Sequence, residues 1–205
     1  MKNTKDKILK SAIKLFNKDG LVNVRLQHIA DEAFLSIGNM AYHYNNKEAI
    51  VNAIHVQLSE DLRGLMSEMN IVPLFEFMDH YFHQLFLLQR HYSFFFTDML
   101  EVFRGYPEIE KQQQELIKWQ QMQYQQMLLF NENRGVIEVN KWPGQLERVV
   151  NLVWMNSHMY TTFSSIHRKE QNISDYCAQI WAVFIPMMTE LGLMEFKQLK
   201  STVVV

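Results

Sequence analysis

Between Leu26 and Ile50 the chain carries two short helical stretches, separated by too few residues for anything but a tight turn, which run straight into a third. Leu26, Ile29, Ala30 and Ala33 fall at i, i+3, i+4 and i+7, an apolar stripe along one side of the first. Ser36 is placed to cap the second, in which Met40 and Tyr44, four residues apart, form the inward face. At about 100° per residue, Gly38 and Tyr42 then lie on the opposite face, with Asn39 and Ala41 flanking them. Asn45 and Glu48 have the spacing of a capping box at the start of the third helix, with Lys47 in its first turn. Two short helices around a tight turn are the build of a helix-turn-helix, which lays its second helix in the DNA major groove.

The residue types on the outward face suit that task. Gly38 lets backbone come close to a phosphate or base edge, at a cost in helix propensity. Asn39 can pair with adenine, Ala41 can touch a thymine methyl and Tyr42 can reach a phosphate. Ser36, Ile37 and His43 complete the same short helix and its cap. A lysine in a first turn opposes the helix macrodipole, and a phosphate partner is one reason to find Lys47 there.

Charge placement agrees. Net charge is −2, but residues 1–50 hold 8 Lys/Arg against 5 Asp/Glu and the remainder 12 against 17. A basic head on an acidic body fits a protein that offers one end to nucleic acid, although an ordinary solvated first helix gives the same count. With 48% apolar residues, 7 Gly and 4 Pro in 205 residues, the chain reads as compact and all-helical. The opening Met1 to Lys7 lacks the apolar stretch of a signal peptide, and no run approaches about 18 apolar residues, so a cytoplasmic protein without membrane contact is expected. Cys177 is the single cysteine, which forbids an intrachain disulfide; its apolar helical setting predicts a buried thiol.

Periodicity predicts helices over about Lys5–Lys18 (ending at Gly20), Lys47–Met69, Pro73–Arg90 after a break at Asn70, His91–Arg104, Pro107–Asn133, 143–168 and 173–191. Val136–Val139 reads as a short extended link and Val203–Val205 as a frayed end. The wet side of the first helix carries Lys2, Lys5, Lys7, Lys10 and Lys14. The helices at 143–168 and 173–191 are apolar on more than one face, so one face fills a core and the other needs a partner. That predicts a homodimer, with Trp154, Tyr160, Trp181, Phe184, Ile185 and Met188 at the interface.

His80 and His83 lie three apart beside Asp79, but without a further tight ligand pair they read as structural or pocket-lining groups and not as a metal site. No Glu-x-x-His pair, Gly-rich phosphate loop, nucleophile elbow or Cys-x-x-Cys pair occurs. No metal, cofactor or enzymatic activity is expected. The aromatic and methionine content between residues 73 and 130 suits a core, and also an apolar pocket. The eight glutamines between Gln112 and Gln126 read as a solvated face.

The run from Thr4 to about Val51 resembles the DNA-binding domain of the TetR (tetracycline-repressor-like) family of bacterial transcription regulators. The likeness rests on Ile8 to Phe16 with Gly20, on Ile29-Ala30, Ala33, Leu35-Ser36 and Gly38, and on His43-Tyr44 and Lys47-Glu48. It covers about a quarter of the chain and fixes residue types over more than forty positions; beyond it, only helical character and length agree. Three positions depart: Arg25 stands where the family has Ser or Thr, which loses a cap and offers a phosphate contact; Phe34 replaces the glycine of the turn; Ala41 replaces a phosphate-holding tyrosine, with Tyr42 next to it.

The resemblance implies an all-α fold of about nine or ten helices. Residues 1–47 would form a three-helix helix-turn-helix domain and 48–205 a helical ligand-binding and dimerisation domain. It implies a repressor that binds a palindromic, double-stranded operator as a homodimer, through Arg25, Ser36, Ile37, Gly38, Asn39, Ala41, Tyr42, His43 and Lys47. A small apolar or amphipathic ligand, held by Phe82, His83, Phe86, Phe95, Met99, Phe103, Met122, Trp154 and His158, would release it; Gln123 and Asn156 are further polar markers. Release would be a population shift, carried by the helix at 47–69, in the spacing of two recognition helices that must suit half-sites roughly 34–36 Å apart. The rivals are a same-fold module that no longer reads DNA and a helical metal enzyme built on His80 and His83.

Overall fold

The structure, a computed structural model, describes residues 2–69 and 71–202. Asn70, the Lys2 side chain and Val203–Val205, for which a break, a wet lysine and a frayed end were expected, lie outside the described residues. In chain order the helices are α1 (Lys2–Asp19), α2 (Leu26–Glu32), α3 (Ile37–His43), α4 (Lys47–Met69), α5 (Phe75–His91), α6 (Ser93–Thr97), α7 (Met99–Gly105), α8 (Pro107–Asn133), α9 (Gln145–Ile166), α10 (Ile173–Phe184) and α11 (Glu190–Thr202), with a 3-10 turn at Ile185–Met187. No strand occurs among the described residues, and no helix there is long and apolar enough to cross a membrane.

Most helix ends have a local cause. Gly20, at φ 78°, takes the left-handed C-terminal position of α1, its N–H donating to the Phe16 carbonyl at 3.0 Å. α4 and α8 have the expected bounds, but the cap of α4 sits one residue later than the Asn45–Glu48 spacing predicts: the Asn46 side chain accepts from the Ala49 N–H at 2.8 Å. The helix expected over His91–Arg104 is two, α6 and α7, because Phe94, Phe95 and Phe96 are all buried. Three consecutive inward rings span about 200° of helix circumference, so this segment must be enclosed by core and cannot lie along a surface. α9 starts two residues after Pro143, with Gly144 left-handed at its cap. The helix expected to run to Leu191 stops at Phe184, since Pro186 lacks the N–H that would continue it. Met188 is extended and bridges Ile137; Glu138 N–H donates to the Met187 carbonyl at 2.8 Å and Thr189 N–H to the Val136 carbonyl at 3.0 Å. The link at 136–139 is thus extended, and it seats α11 so closely that a Cβ on Gly192 would stand 2.0 Å from the Val136 carbonyl oxygen.

The chain divides into two compact units, Met1–Asp61 with Arg90–Gln114 and Leu62–Gln89 with Glu115–Val205. The expected boundary at residue 47 marks the start of α4; the units divide further along that helix, and the first also takes α6, α7 and the start of α8.

In the first unit Ile8, Ala12, Ile13 and Phe16 of α1 are buried together with Ile29, Ala30, Met40, Ile50 and Ile54. Phe16 and Phe94 rings lie 5.1 Å apart. The Asn17 amide donates to the His91 carbonyl at 2.8 Å and accepts the Phe94 N–H at 2.9 Å, tying α1 to the start of α6. Burial lowers the His55 pKa, and its Nε2–H donates to Gln113 Oε1 at 3.0 Å. In the second unit Phe75, Phe82, Phe86, Tyr124, Tyr176, Trp181 and Phe184 form the core.

Candidate functional site

The helix-turn-helix is built by backbone hydrogen bonds and caps. Arg25 holds the extended N-cap position of α2 without a side-chain cap bond; instead its backbone N–H donates to His28 Nδ1 at 3.2 Å. At the other end Phe34 adopts φ 52°, and Leu35 N–H closes back on the Ala30 carbonyl at 2.9 Å. This is a left-handed helix stop held by a residue with a Cβ, at a cost of about 1–2 kcal/mol. Phe34 recovers little of it by burial, being 87% exposed. The Lys7 ammonium lies over its ring at 5.3 Å.

Ser36 then caps α3, its hydroxyl accepting the Asn39 N–H at 3.2 Å. Met40 is fully buried, whereas Ile37, Gly38, Asn39, Ala41 and Tyr42 point outward and Tyr42 is 75% exposed. Tyr44, expected on the inward face, is the half-buried C-cap, with the Lys5 ammonium 5.9 Å from its ring centre. Burial, and then the Asp6 charge, raise the Tyr44 pKa. His43 is half-buried, its ring edge-on to Tyr42 at 5.2 Å. A Cβ on Gly38 would meet nothing within 4 Å, so packing within the chain does not require a glycine there. Lys47 differs from the expectation of a phosphate partner: its ammonium donates to the Leu21 carbonyl and lies 5.7 Å from the Phe16 ring centre, and burial lowers its pKa.

The nine residues expected around a ligand are divided between the two units. Phe95, Met99 and Phe103 belong to the first unit, the other six to the second. Met122 is exposed, while Phe82, Phe86 and His158 are buried in core. Around His158 lies a polar network that the sequence reading missed. Gln120 Nε2–H donates to His158 Nε2 at 3.0 Å and Gln120 Oε1 accepts the Trp154 indole N–H at 3.1 Å. Tyr124 is bonded to Ser157 at 3.2 Å and to Tyr81 at 2.8 Å; Tyr176 donates to the Ser157 carbonyl at 2.9 Å. Trp154 stacks on the imidazole at 4.9 Å. Complete burial pushes the His158 pKa down to about 4, so the ring is neutral at pH 7. Gln113 and Gln120 correct the expectation of a solvated glutamine face, since both are buried acceptors or donors for histidines. No spacing rule marks them; an apolar helix-facing position occupied by glutamine was the available signal.

A cleft of about 750 Å³ opens in the second unit, between α5, α11 and Arg134, and His83 is the one expected ligand residue that lines it, beside His80. Inside it the Asp79 side chain is 6% exposed. It accepts the Trp181 indole N–H at 2.6 Å and the Lys200 ammonium at 3.1 Å, with His83 Nδ1 at 3.4 Å. Cys177 is buried as expected, 3.6 Å from His83 Nδ1. Burial and the Asp79 charge push its thiol up to about 12, which leaves it unreactive. Among the described residues no cluster of three or more His, Cys, Asp or Glu is arranged to hold a metal.

Three expected interface residues are corrected. Trp181 and Phe184 are core, 1% and 0% exposed, because the indole N–H of Trp181 is committed to Asp79 and its ring packs on Phe75, Phe184 and Phe196. Tyr160 is also buried, and its hydroxyl donates to the Asn172 carbonyl at 3.1 Å; Trp154 and Met188 are half-buried and Ile185 is exposed. The exposed apolar line on α9 is Leu152, Met155, Met159, Phe163 and Ile166. Its steps of three and four were legible in the sequence, but nothing there told which of the two apolar faces was outward.

Two family patterns match the chain: bacterial regulatory proteins of the tetR family over residues 8–54, and the TetR bacterial transcriptional repressor over residues 57–196. Among solved structures, a TetR-family transcriptional regulator from Marinobacter aquaeolei VT8 is 19% identical with a TM-score of 0.84, over 96% of this chain and 97% of that one. The fatty acid degradation regulator FadR from Bacillus halodurans is 15% identical with a TM-score of 0.67, over 88% and 92%. SmeT of Stenotrophomonas maltophilia, in complex with triclosan, is 14% identical with a TM-score of 0.64, over 92% and 93%. At these identities the likeness is one of fold. No curated protein matches the chain in sequence.

Proposed function

The chain belongs to the TetR family of bacterial transcriptional regulators, and from that premise we propose that it is a repressor which binds a palindromic operator as a homodimer and leaves it when a small apolar or amphipathic molecule binds. The observation that carries the DNA-reading part is the outward face of α3. Ile37, Gly38, Asn39, Ala41 and Tyr42 are all exposed on a helix whose opposite side is fixed by buried Met40. Such a face contributes nothing to the fold and offers backbone, an amide and a phenol to base edges and phosphates. Arg25 and the Ser36 cap flank it as phosphate contacts.

The homodimer reading rests on the α9 line, where five large apolar side chains from Leu152 to Ile166 face solvent over four turns. Against a second copy they form a self-complementary, two-fold interface. Release by ligand is supported by family membership, and SmeT, a protein of the same fold, forms a complex with the small apolar molecule triclosan. In this chain Trp154 and His158 are stacked within the polar network of the second unit and Phe82 and Phe86 are buried in its core, so a ligand at any of them must displace packed side chains. An effector lowers operator affinity only by its differential affinity for the two states.

A same-fold module that no longer reads DNA is favoured by two observations, the inward engagement of Lys47 and the methyl of Ala41 where the family has a phosphate-holding phenol. Titrating labelled upstream DNA with wild type and with Asn39→Ala separates the readings. The repressor reading expects base preference at one position per half-site to relax in the variant; wild type that binds every duplex equally would favour the module.

A further inference from the structure

We propose that the cleft between α5 and α11 is a binding site for a primary amine with an apolar stem, and that the Lys200 ammonium, paired with the Asp79 carboxylate of that cleft, is a built-in stand-in for it. The Lys200 ammonium sits 3.1 Å from the buried Asp79 carboxylate and 5.9 and 5.6 Å from the ring centres of Trp181 and Phe196. A carboxylate below and aromatic faces alongside are the surroundings an ammonium ion selects. Lys200 is itself half-exposed and sits near the end of α11, so the pair is open to exchange, whereas Asp79 stays anchored by the Trp181 indole, which donates to the same oxygen, Oδ1, with His83 Nδ1 beside the other.

The remaining lining agrees. Glu76 and Glu195 face the same cleft, and its guanidinium, Arg134, is already committed to Glu195 at 2.5 Å and to the Asn131 side chain at 2.8 Å. Leu74, Phe75 and Leu199 supply apolar wall for the stem, and about 750 Å³ is room for a ligand of small-molecule size. Exchange of one ammonium for another leaves the buried carboxylate neutralised throughout, so the entering amine does not have to meet the desolvation of Asp79 afresh. The contact from α11 to α5 through Lys200 is what the ligand would replace. A role for this site as the effector site rests on the repressor reading; the binding itself does not.

The test is calorimetric titration of DNA-free protein with n-hexylamine, n-hexanol and hexanoate. The amine is expected to bind and the alcohol and acid not. Lys200→Met, which removes the competitor and keeps the stem, is expected to tighten hexylamine about fivefold, the share a half-exposed ion pair holds back. Asp79→Asn, in which the side-chain oxygen can still accept from Trp181, is expected to abolish the preference for amine over alcohol. Equal binding of hexanol, or hexylamine affinity unchanged or weaker in Lys200→Met, would overturn the proposal even if Asp79→Asn fails to fold. Loss of operator binding in wild type would refute the repressor reading and leave the amine site standing; absence of amine binding in a protein that binds its operator would remove the site alone.

Discussion

Replacing Gly38 with alanine should stabilise the protein and damage its DNA binding. Gly38 is the second residue of α3, its φ is ordinary for a helix, and an added Cβ would meet nothing within 4 Å. Alanine in such a position gains about 0.5–1 kcal/mol over glycine, from helix propensity and from a less free unfolded chain. With a urea slope of about 2 kcal/mol per molar, the midpoint should rise by roughly 0.3–0.5 M. On DNA the sign reverses. If backbone at Gly38 approaches a base edge or phosphate, a methyl group there pushes the helix outward and loosens the neighbouring contacts, and losing about 1.4 kcal/mol is a tenfold weaker complex. Chemical denaturation and fluorescence anisotropy at one fixed salt concentration read the two effects on the same preparation. A variant that gains stability and keeps full operator affinity would refute close backbone approach at this position.

Three further outcomes follow from the second unit. With its pKa held near 4 against an ordinary 6.5, His158 is neutral in the fold and takes up a proton on unfolding, so stability is complete above about pH 7 and falls as pH drops from 6.5 towards 4, by on the order of 3 kcal/mol; denaturation of wild type and His158→Gln at several pH values should show the slope in the first and a flatter one in the second. Met155→Glu together with Met159→Glu should give folded monomers in sedimentation, whereas Trp181→Glu, which puts a charge into the core, should give unfolded or insoluble protein. Gly192→Ala should cost more than about 2 kcal/mol in thermal or urea unfolding, since its Cβ would lie 2.0 Å from the Val136 carbonyl oxygen and backbone must shift to admit it.

Local, short-range patterns were the readable part of this chain. The stripe Leu26–Ala33, the Ser36 cap and Gly20 are signals carried within a few residues, and α1 to α4 follow from them with small shifts in their ends. Pro186 carries a signal of the same kind, a missing donor inside an apolar run, but the expected helix over 173–191 passed over it, and it is what separates α10 from α11. What depends on distant partners was not readable. Trp181 and Met155 are both large, apolar and helical, and what makes the first a core residue lies far along the chain, in Asp79, 102 residues away, and in the Phe75 ring, while the second has no such partner and is exposed. The same holds for Gln120 and His158, 38 residues apart, and for Lys47, whose ammonium turns inward to a carbonyl 26 residues back. A periodicity names a face without naming what will cover it.

The central claim, that this chain reads a DNA sequence, is tested most directly by titrating the protein against a labelled duplex from immediately upstream of its own coding sequence, with a shuffled duplex of the same composition alongside, at about 150 mM salt. The account predicts binding of two chains per duplex and an affinity for the upstream sequence at least about a thousandfold above that for the shuffled one. Equal affinity for the two duplexes, or none for either, would contradict it.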